Sequence, residues 1–153
     1  MKRLELLIPP PLVMLLVGLI MWLLAQIFPS LAAAWLSDTL MAIVLAFLGL
    51  VIALAGVATF KRARTTIDPK RPTDASALVS SGIYRFSRNP MYLGVRLVLA
   101  GWAMYLGNLL SVLGLLVFVA YITRFQIIPE ERLLHEKFGA AFLAYKDKVR
   151  RWI

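Results

Sequence analysis

The sequence predicts an all-α integral membrane protein: four transmembrane helices, a polar cytoplasmic loop and a C-terminal amphipathic helix. Three observations predict the membrane class. The chain is 61% hydrophobic over 153 residues with a mean hydropathy of +0.80, more apolar surface than one soluble core of this size can hide. Its uncharged runs have the length of bilayer crossings. Its 17 Lys and Arg residues gather at the borders of those runs, which is the positive-inside pattern. With no cysteine and a single histidine, disulfides and thiol chemistry are excluded and a metal site is not expected. A net charge of +9 would suit nucleic acid in a soluble protein. Its placement beside apolar runs points to a membrane surface instead, with no nucleic-acid partner.

The elements follow in order within a single domain, residues 1–153. After Lys2, Arg3 and Glu5 no charge occurs until Asp38. That window holds a first span over residues 11–28, entered through Pro9, Pro10 and Pro11, which suit a helix start. The run is too long and too poorly flanked for a cleaved signal peptide. Residues 39–60 form a second uncharged span, along which Ala42, Ala46, Gly49, Ala53 and Gly56 recur at helical spacing. Such a face lets a neighbouring helix approach closely, within the chain or in a homodimer. Residues 90–127 carry only Arg96 and Arg124. One helix of that length would be ~57 Å long, nearly twice the hydrocarbon core. Gly107 and Asn108 divide it into spans over 90–106 and 109–127. With four spans every Lys and Arg falls on one face and the opposite loops carry only Asp38. Both termini are then cytoplasmic, and the compactness of the chain and its lack of loops point to a prokaryotic inner membrane.

The cytoplasmic face has two polar parts. One is the loop over residues 61–89, which includes Thr65, Thr66, Asp68, Pro69, Arg71 and Pro72. The other is a helix over 129–150. There and just beyond, Leu134, Phe138, Ala141, Phe142, Tyr145, Val149 and Trp152 recur at three- and four-residue steps among charged positions. That pattern lies on a membrane or folds back over the loop.

Two segments concentrate polar chemistry. At the mouth of the third span stand Gly82, Tyr84, Arg85, Arg88, Asn89, Pro90, Tyr92 and Gly94. Asn89 and Pro90 read as an N-cap with proline at the first helical position. Such a helix start presents unpaired N–H groups and partial positive charge to a carboxylate or phosphate. Arg85 and Arg88 add charge beside it. The same residues also suit an ordinary interfacial belt of tyrosines and arginines. After the fourth span come Pro129, Glu130, Glu131 and Arg132. Two glutamates suit a helix start, but at that depth they are costly unless they meet cations or hydroxyl donors. Arg85, Arg88 and Arg96 are the candidate cations. Arg96, Arg124 and Gln126 also read as snorkelling residues, and His135 as a bystander.

On these two motifs the chain resembles the isoprenylcysteine carboxyl methyltransferase family, within a wider group that includes phospholipid N-methyltransferases. The first motif is Gly82, Tyr84, Arg85, Arg88, Asn89, Pro90, Tyr92 and Gly94. The second is Glu130 and Glu131, followed by Phe138, Gly139 and Tyr145. The likeness runs from about Thr65 onward. It implies S-adenosylmethionine as methyl donor, bound without a Rossmann domain; no Gly-x-Gly-x-x-Gly follows a strand pattern here. By the resemblance, Tyr84, Arg88, Asn89, Pro90, Tyr92, Gly94, Glu130 and Glu131 line the cofactor pocket. The catalytic candidates are read from the chemistry of the acceptor: Arg85 and Arg96 to orient an anion, and Glu131, His135 or a tyrosine as a base. Asn89 stands where the family usually has histidine. It can still hydrogen-bond a cofactor but cannot relay a proton.

The substitution bears on the acceptor. A carboxylate arrives ionised and needs no base, whereas the ammonium of phosphatidylethanolamine must first lose a proton. The expected reaction is therefore carboxyl O-methylation of a lipid-linked or lipophilic acceptor, with Arg85 or Arg96 orienting the anion. The alternatives are phospholipid N-methylation, an NADPH-dependent membrane reductase, which would normally need more spans, and a non-catalytic partner subunit.

Overall fold

A computed structural model of the protein describes residues 5–63 and 77–153. Lys2, Arg3 and the loop positions from Thr65 to Pro72 lie outside the described residues. Every regular element among the described residues is helical: α1 (Pro10–Ile27), α2 (Thr39–Arg62), α3 (Pro90–Leu106), α4 (Leu109–Ile122), α5 (Ile128–Phe138) and α6 (Ala140–Lys148). A π-helical turn, Thr123–Ile127, joins α4 to α5 without a break. By length and apolarity Pro10–Ile27, Thr39–Arg62 and the continuous Leu109–Phe138 are able to cross a membrane; Pro90–Leu106 is a shorter apolar helix of 17 residues. The protein is an all-helical integral membrane protein.

Each helix starts and stops for local reasons. Pro10 opens α1 where the first N–H groups have no intrahelical acceptor. Asp38 caps α2, its Oδ1 accepting from the Met41 N–H at 2.9 Å. Between α3 and α4, Gly107 adopts φ 55, ψ 35, a left-handed conformation that a β-carbon disfavours. Asn108 then caps α4 by accepting from the Leu110 N–H at 3.0 Å. The same Asn108, 2% exposed, donates to the Phe28 carbonyl at 3.0 Å. Ala33 N–H meets the Gly107 carbonyl at 2.7 Å. The α1–α2 connection and the α3–α4 turn are thereby tied together at one end of the bundle.

Packing is closest between α2 and α3. A β-carbon on Gly49 would sit 2.5 Å from the Gly94 carbonyl oxygen, and one on Gly101 2.5 Å from that of Ala42. The small-residue face of α2 is therefore covered by α3, and a homodimer would have to use another surface. In lipid no water drives helices together, so such backbone approach supplies the dispersion contacts that do. Val13, Val17 and Met21 of α1 face Phe118 and Ile122 of α4 and Leu99 and Ala103 of α3 in one core. Leu12, Leu15, Leu16 and Leu19 stay outward, as a bilayer-facing surface requires.

The fourth apolar run differs from the expected 109–127 span. The π turn inserts one extra residue, which turns the following helix face by about 100°. Pro129 lacks an N–H and leaves a carbonyl four residues back unmatched. That carbonyl, on Phe125, accepts from the Leu6 N–H at 2.9 Å. Gln126 is buried in the turn and donates to the Ile8 carbonyl at 2.7 Å, and Glu5 bridges Arg124 at 3.2 Å and Arg132 at 2.5 Å. Arg124 and Gln126 thus anchor the segment before α1 rather than snorkel.

The single helix expected over 129–150 is two helices. Gly139 breaks it with φ 49, ψ −122, a region open essentially to glycine. The break lets α6 fold back, where Phe142, Tyr145 and Val149 pack with Leu78, Leu134 and Phe138.

Candidate active site

The two sequence motifs, about forty residues apart, meet at the end of the bundle opposite the Gly107 turn. Residues 82–90 approach α3 through a short 3₁₀ turn, Gly82–Arg85. The turn is seated on α2: the Tyr84 ring meets Phe60 edge to face at 5.2 Å. It is held from the other side by α6, where the Tyr145 hydroxyl donates to the Tyr84 carbonyl at 2.8 Å. Burial pushes both phenols above their usual range; Tyr145 and Glu130 raise Tyr84 further, while Arg88 pulls Tyr145 back. Neither phenol ionises near neutral pH, so both stay neutral, with Tyr145 donating to the Tyr84 carbonyl and Tyr84 offering a ring face and a hydroxyl.

Glu130 and Glu131 are consecutive on α5 and face different walls. Glu130 turns inward and accepts from the Tyr92 hydroxyl at 2.5 Å, joining α5 to the first turn of α3. Glu131 meets two arginines. Arg151 engages both its oxygens, Nε to Oε1 at 3.1 Å and Nη2 to Oε2 at 2.7 Å. Arg88 Nη1 lies 3.3 Å from Oε1, with side-chain exposure of 9% for Arg88 and 13% for Glu131. The bidentate bond to Glu131 holds the Arg151 guanidinium protonated above its ordinary range.

Arg88 is the exceptional member. Its Nε and Nη1 are buried without a hydrogen-bond acceptor among the described residues. A buried guanidinium with open donors is costly unless something accepts from them. The donors stand next to the start of α3, where Pro90 opens a helix whose first N–H groups have no intrahelical partner. The pair suits an anionic group.

The remaining sequence candidates fall as follows. Asn89 precedes α3 but its side chain does not cap it; its Nδ2 donates to the Arg151 carbonyl at 2.9 Å. The Ser87 hydroxyl takes the capping turn instead, accepting from the Asn89 N–H at 3.1 Å. Pro90 is buried at the helix start. Gly94 faces α2, where a β-carbon would strike Gly49 and Ala53, so its smallness serves helix packing. Arg85 is exposed and forms no ion pair among the described residues. Arg96 lies over the Trp152 ring at 5.8 Å, away from the carboxylates. His135 is exposed on α5. Sequence reasoning missed Ser87 and Arg151 as site residues and read Trp152 only as part of the tail's apolar stripe. Arg150, Arg151 and Trp152 read alone as an interfacial basic–aromatic run, and no local pattern links Arg151 to a glutamate 20 residues earlier.

A cavity of about 620 Å³ lies elsewhere, between α1, α2 and α3, lined by apolar residues including Met14, Gly18, Trp22, Leu99 and Trp102. It holds none of the polar residues described above.

An all-helical membrane bundle that brings a Tyr-Arg-x-x-Arg-Asn-Pro-x-Tyr-x-Gly helix start against a Glu-Glu helix start defines the class: an integral membrane protein with a polar site at one end. The phospholipid methyltransferase family model matches residues 37–141, most of the chain, and the chain belongs to that family. Protein-S-isoprenylcysteine O-methyltransferase A of Arabidopsis thaliana is 29% identical over 126 residues, 80% of this chain and 62% of the relative. Protein-S-isoprenylcysteine O-methyltransferase of Saccharomyces cerevisiae is 36% identical over 86 residues, 54% of this chain and 34% of the relative. An uncharacterized protein of Haemophilus influenzae is 48% identical over 63 residues, 41% of this chain and all of the relative. The chain thus spans 62% and 34% of the length of the two named enzymes. No solved structure matches it significantly.

Proposed function

We propose that this protein is an S-adenosylmethionine-dependent methyltransferase that works at the cytoplasmic membrane surface on a lipid-linked or lipophilic acceptor, with a carboxylate as the methylated group. One observation carries the reading. In a chain of the phospholipid methyltransferase family, Tyr92 reaches Glu130 at 2.5 Å and Arg88 reaches Glu131 at 3.3 Å, so both family motifs form one buried polar cluster. The chemistry of that cluster fits the cofactor: open cationic donors on Arg88 for its carboxylate, ring faces and a hydroxyl on Tyr84 and Tyr92, and a carboxylate on Glu130 for a hydroxyl or ammonium group. When bound, S-adenosylmethionine supplies an electrophilic methyl group on a sulfonium and leaves as S-adenosylhomocysteine.

The protein's contribution is positioning and exclusion of water. Arg88 and the α3 start hold an anion, and α6 closes over residues 78–84. Asn89 offers no proton relay, its amide being committed to the Arg151 carbonyl. Glu131 is held by two guanidinium groups, which leaves it poorly suited to deprotonate an acceptor. An acceptor already ionised at neutral pH suits such a site, and the names of the plant and yeast relatives support a carboxylate. Four spans with both ends cytoplasmic remain the preferred topology. At 17 residues α3 reaches the short end of the spanning range, and the Gly107 turn returns the chain antiparallel into α4. A prokaryotic inner membrane is the proposed location.

The test is methyl transfer from labelled S-adenosylmethionine by the purified protein in lipid nanodiscs, offered N-acetyl-S-farnesylcysteine or phosphatidylethanolamine. Label is expected in the prenylcysteine ester. Label in phosphatidylethanolamine alone would favour N-methylation, a reading that the family's name supports. Binding of NADPH in place of S-adenosylhomocysteine would overturn methyl transfer altogether.

A further inference from the structure

We infer that Arg151 is a positioning residue of this site and that residues 149–153 form the wall that delivers it. The inference rests on the reading of the Arg88–Glu131 cluster as the methyltransferase site. Residues 149–153 follow α6 outside any regular element and are pinned at successive points. Val149 packs with Phe142 and Tyr145. The Arg150 carbonyl accepts from the Arg88 N–H at 3.0 Å. The Arg151 carbonyl accepts from Asn89 Nδ2 at 2.9 Å, with the Ser87 hydroxyl at 3.5 Å. Trp152 packs against the bundle core beneath Arg96. The segment therefore runs directly alongside residues 87–89, the turn that carries Arg88.

This seat fixes where the Arg151 guanidinium can go. Its two bonds to Glu131 form the planar fork-to-fork pair that arginine makes and lysine does not. With Arg151 bidentate on Glu131, Arg88 flanks the carboxylate as an ion pair at 3.3 Å without hydrogen-bond geometry, so Nε and Nη1 keep no hydrogen-bond acceptor among the described residues. Without Arg151, the buried Glu131 would have one cation left, and Arg88 would turn onto it to avoid an unpaired buried charge. Its donors would then be withdrawn from a ligand. Arg151 acts through Glu131 on Arg88 and touches no ligand itself.

The test compares Arg88→Ala, Arg151→Ala, Arg151→Lys and Glu131→Gln/Arg151→Ala in nanodiscs, measuring S-adenosylhomocysteine affinity by calorimetry and KM for N-acetyl-S-farnesylcysteine. Whichever constant Arg88→Ala weakens, Arg151→Ala is expected to weaken by about tenfold, the scale of a charge-assisted hydrogen bond, leaving the other unchanged. Arg151→Lys should shift the same constant less, and Arg151→Ala should add little once Glu131 is glutamine. An Arg151→Ala effect on neither constant, on the constant Arg88 does not touch, or fully additive to Glu131→Gln would overturn the inference. A wild type that binds no S-adenosylhomocysteine would sink the proposed function instead. The Arg151–Glu131 pairing would then be read from thermal unfolding of the Arg151→Lys and Glu131→Gln single and double variants: coupled shifts support it and additive shifts overturn it.

Discussion

The α2–α3 seam and the Arg88–Glu131 end of the bundle are held by opposite means. Along the seam, Gly49, Gly94 and Gly101 bring two backbones into contact. At the polar end, Tyr92, Glu130, Arg88, Glu131 and Arg151 meet through directional bonds between elements distant in sequence. The seam tolerates no added volume because its neighbours are main chain. The polar end tolerates no lost partner because the groups left behind are buried. One region supplies a tightly packed platform and the other a buried polar cluster set on it.

Breaking the seam should have the largest effect. Gly94→Val drives a branched side chain into the Gly49 carbonyl and Ala53, and a loss of about 3 kcal/mol or of folded protein is expected. Gly114→Ala is the contrast: its β-carbon meets the flexible Met21 side chain, and a smaller loss is expected. Thermal unfolding in detergent reads both, and equal losses would break the distinction. At the polar end, Tyr92→Phe leaves Glu130 without its hydroxyl donor and should cost about 1.5–3 kcal/mol, with methyl transfer reduced. Unaltered activity there would remove Glu130 from the site. Tyr145→Phe removes one bond to the Tyr84 carbonyl; about 1 kcal/mol of stability should go, read by the same melts.

The smallest effect concerns the segment before α1. Arg132, and then Arg124, hold the Glu5 carboxyl below its usual value of 4.5. A folded pKa below the unfolded one contributes stability above the unfolded value and loses it as pH falls through the folded one. The melting difference between the wild type and Glu5→Gln should therefore be present at neutral pH, small because its partners Arg124 and Arg132 are 42% and 47% exposed and solvent screens the pairs, and vanish in acid. A difference that persists at low pH would show that packing, not charge, ties this segment down.

Much of the helical layout was legible in the sequence, because apolar run length and the breakers Pro90, Gly107 and Asn108 act locally. The Arg88, Tyr92, Glu130 and Glu131 candidates were legible for the same reason: charged and hydroxyl groups at the mouth of an apolar run are costly without partners. The missed features are all non-local or rotational. Gly94 looks the same whether it faces a ligand or α2. Asn89 before a proline reads as a cap, and only the neighbouring chain at Arg151 shows where its amide goes. The helix break at Gly139 was hidden by an apolar periodicity that continues across it.

The sequence by itself determined the solvent of this protein and the order of its helices, since hydropathy and helix breaking are properties of short stretches. The tertiary structure alone decided which charges meet. The π turn and Pro129 set the rotation of α5, and the fold-back at Gly139 brings residues 149–153 onto residues 87–89. A pairing such as that of Arg151 with Glu131 depends on those rotations and on chain return, which no local pattern encodes.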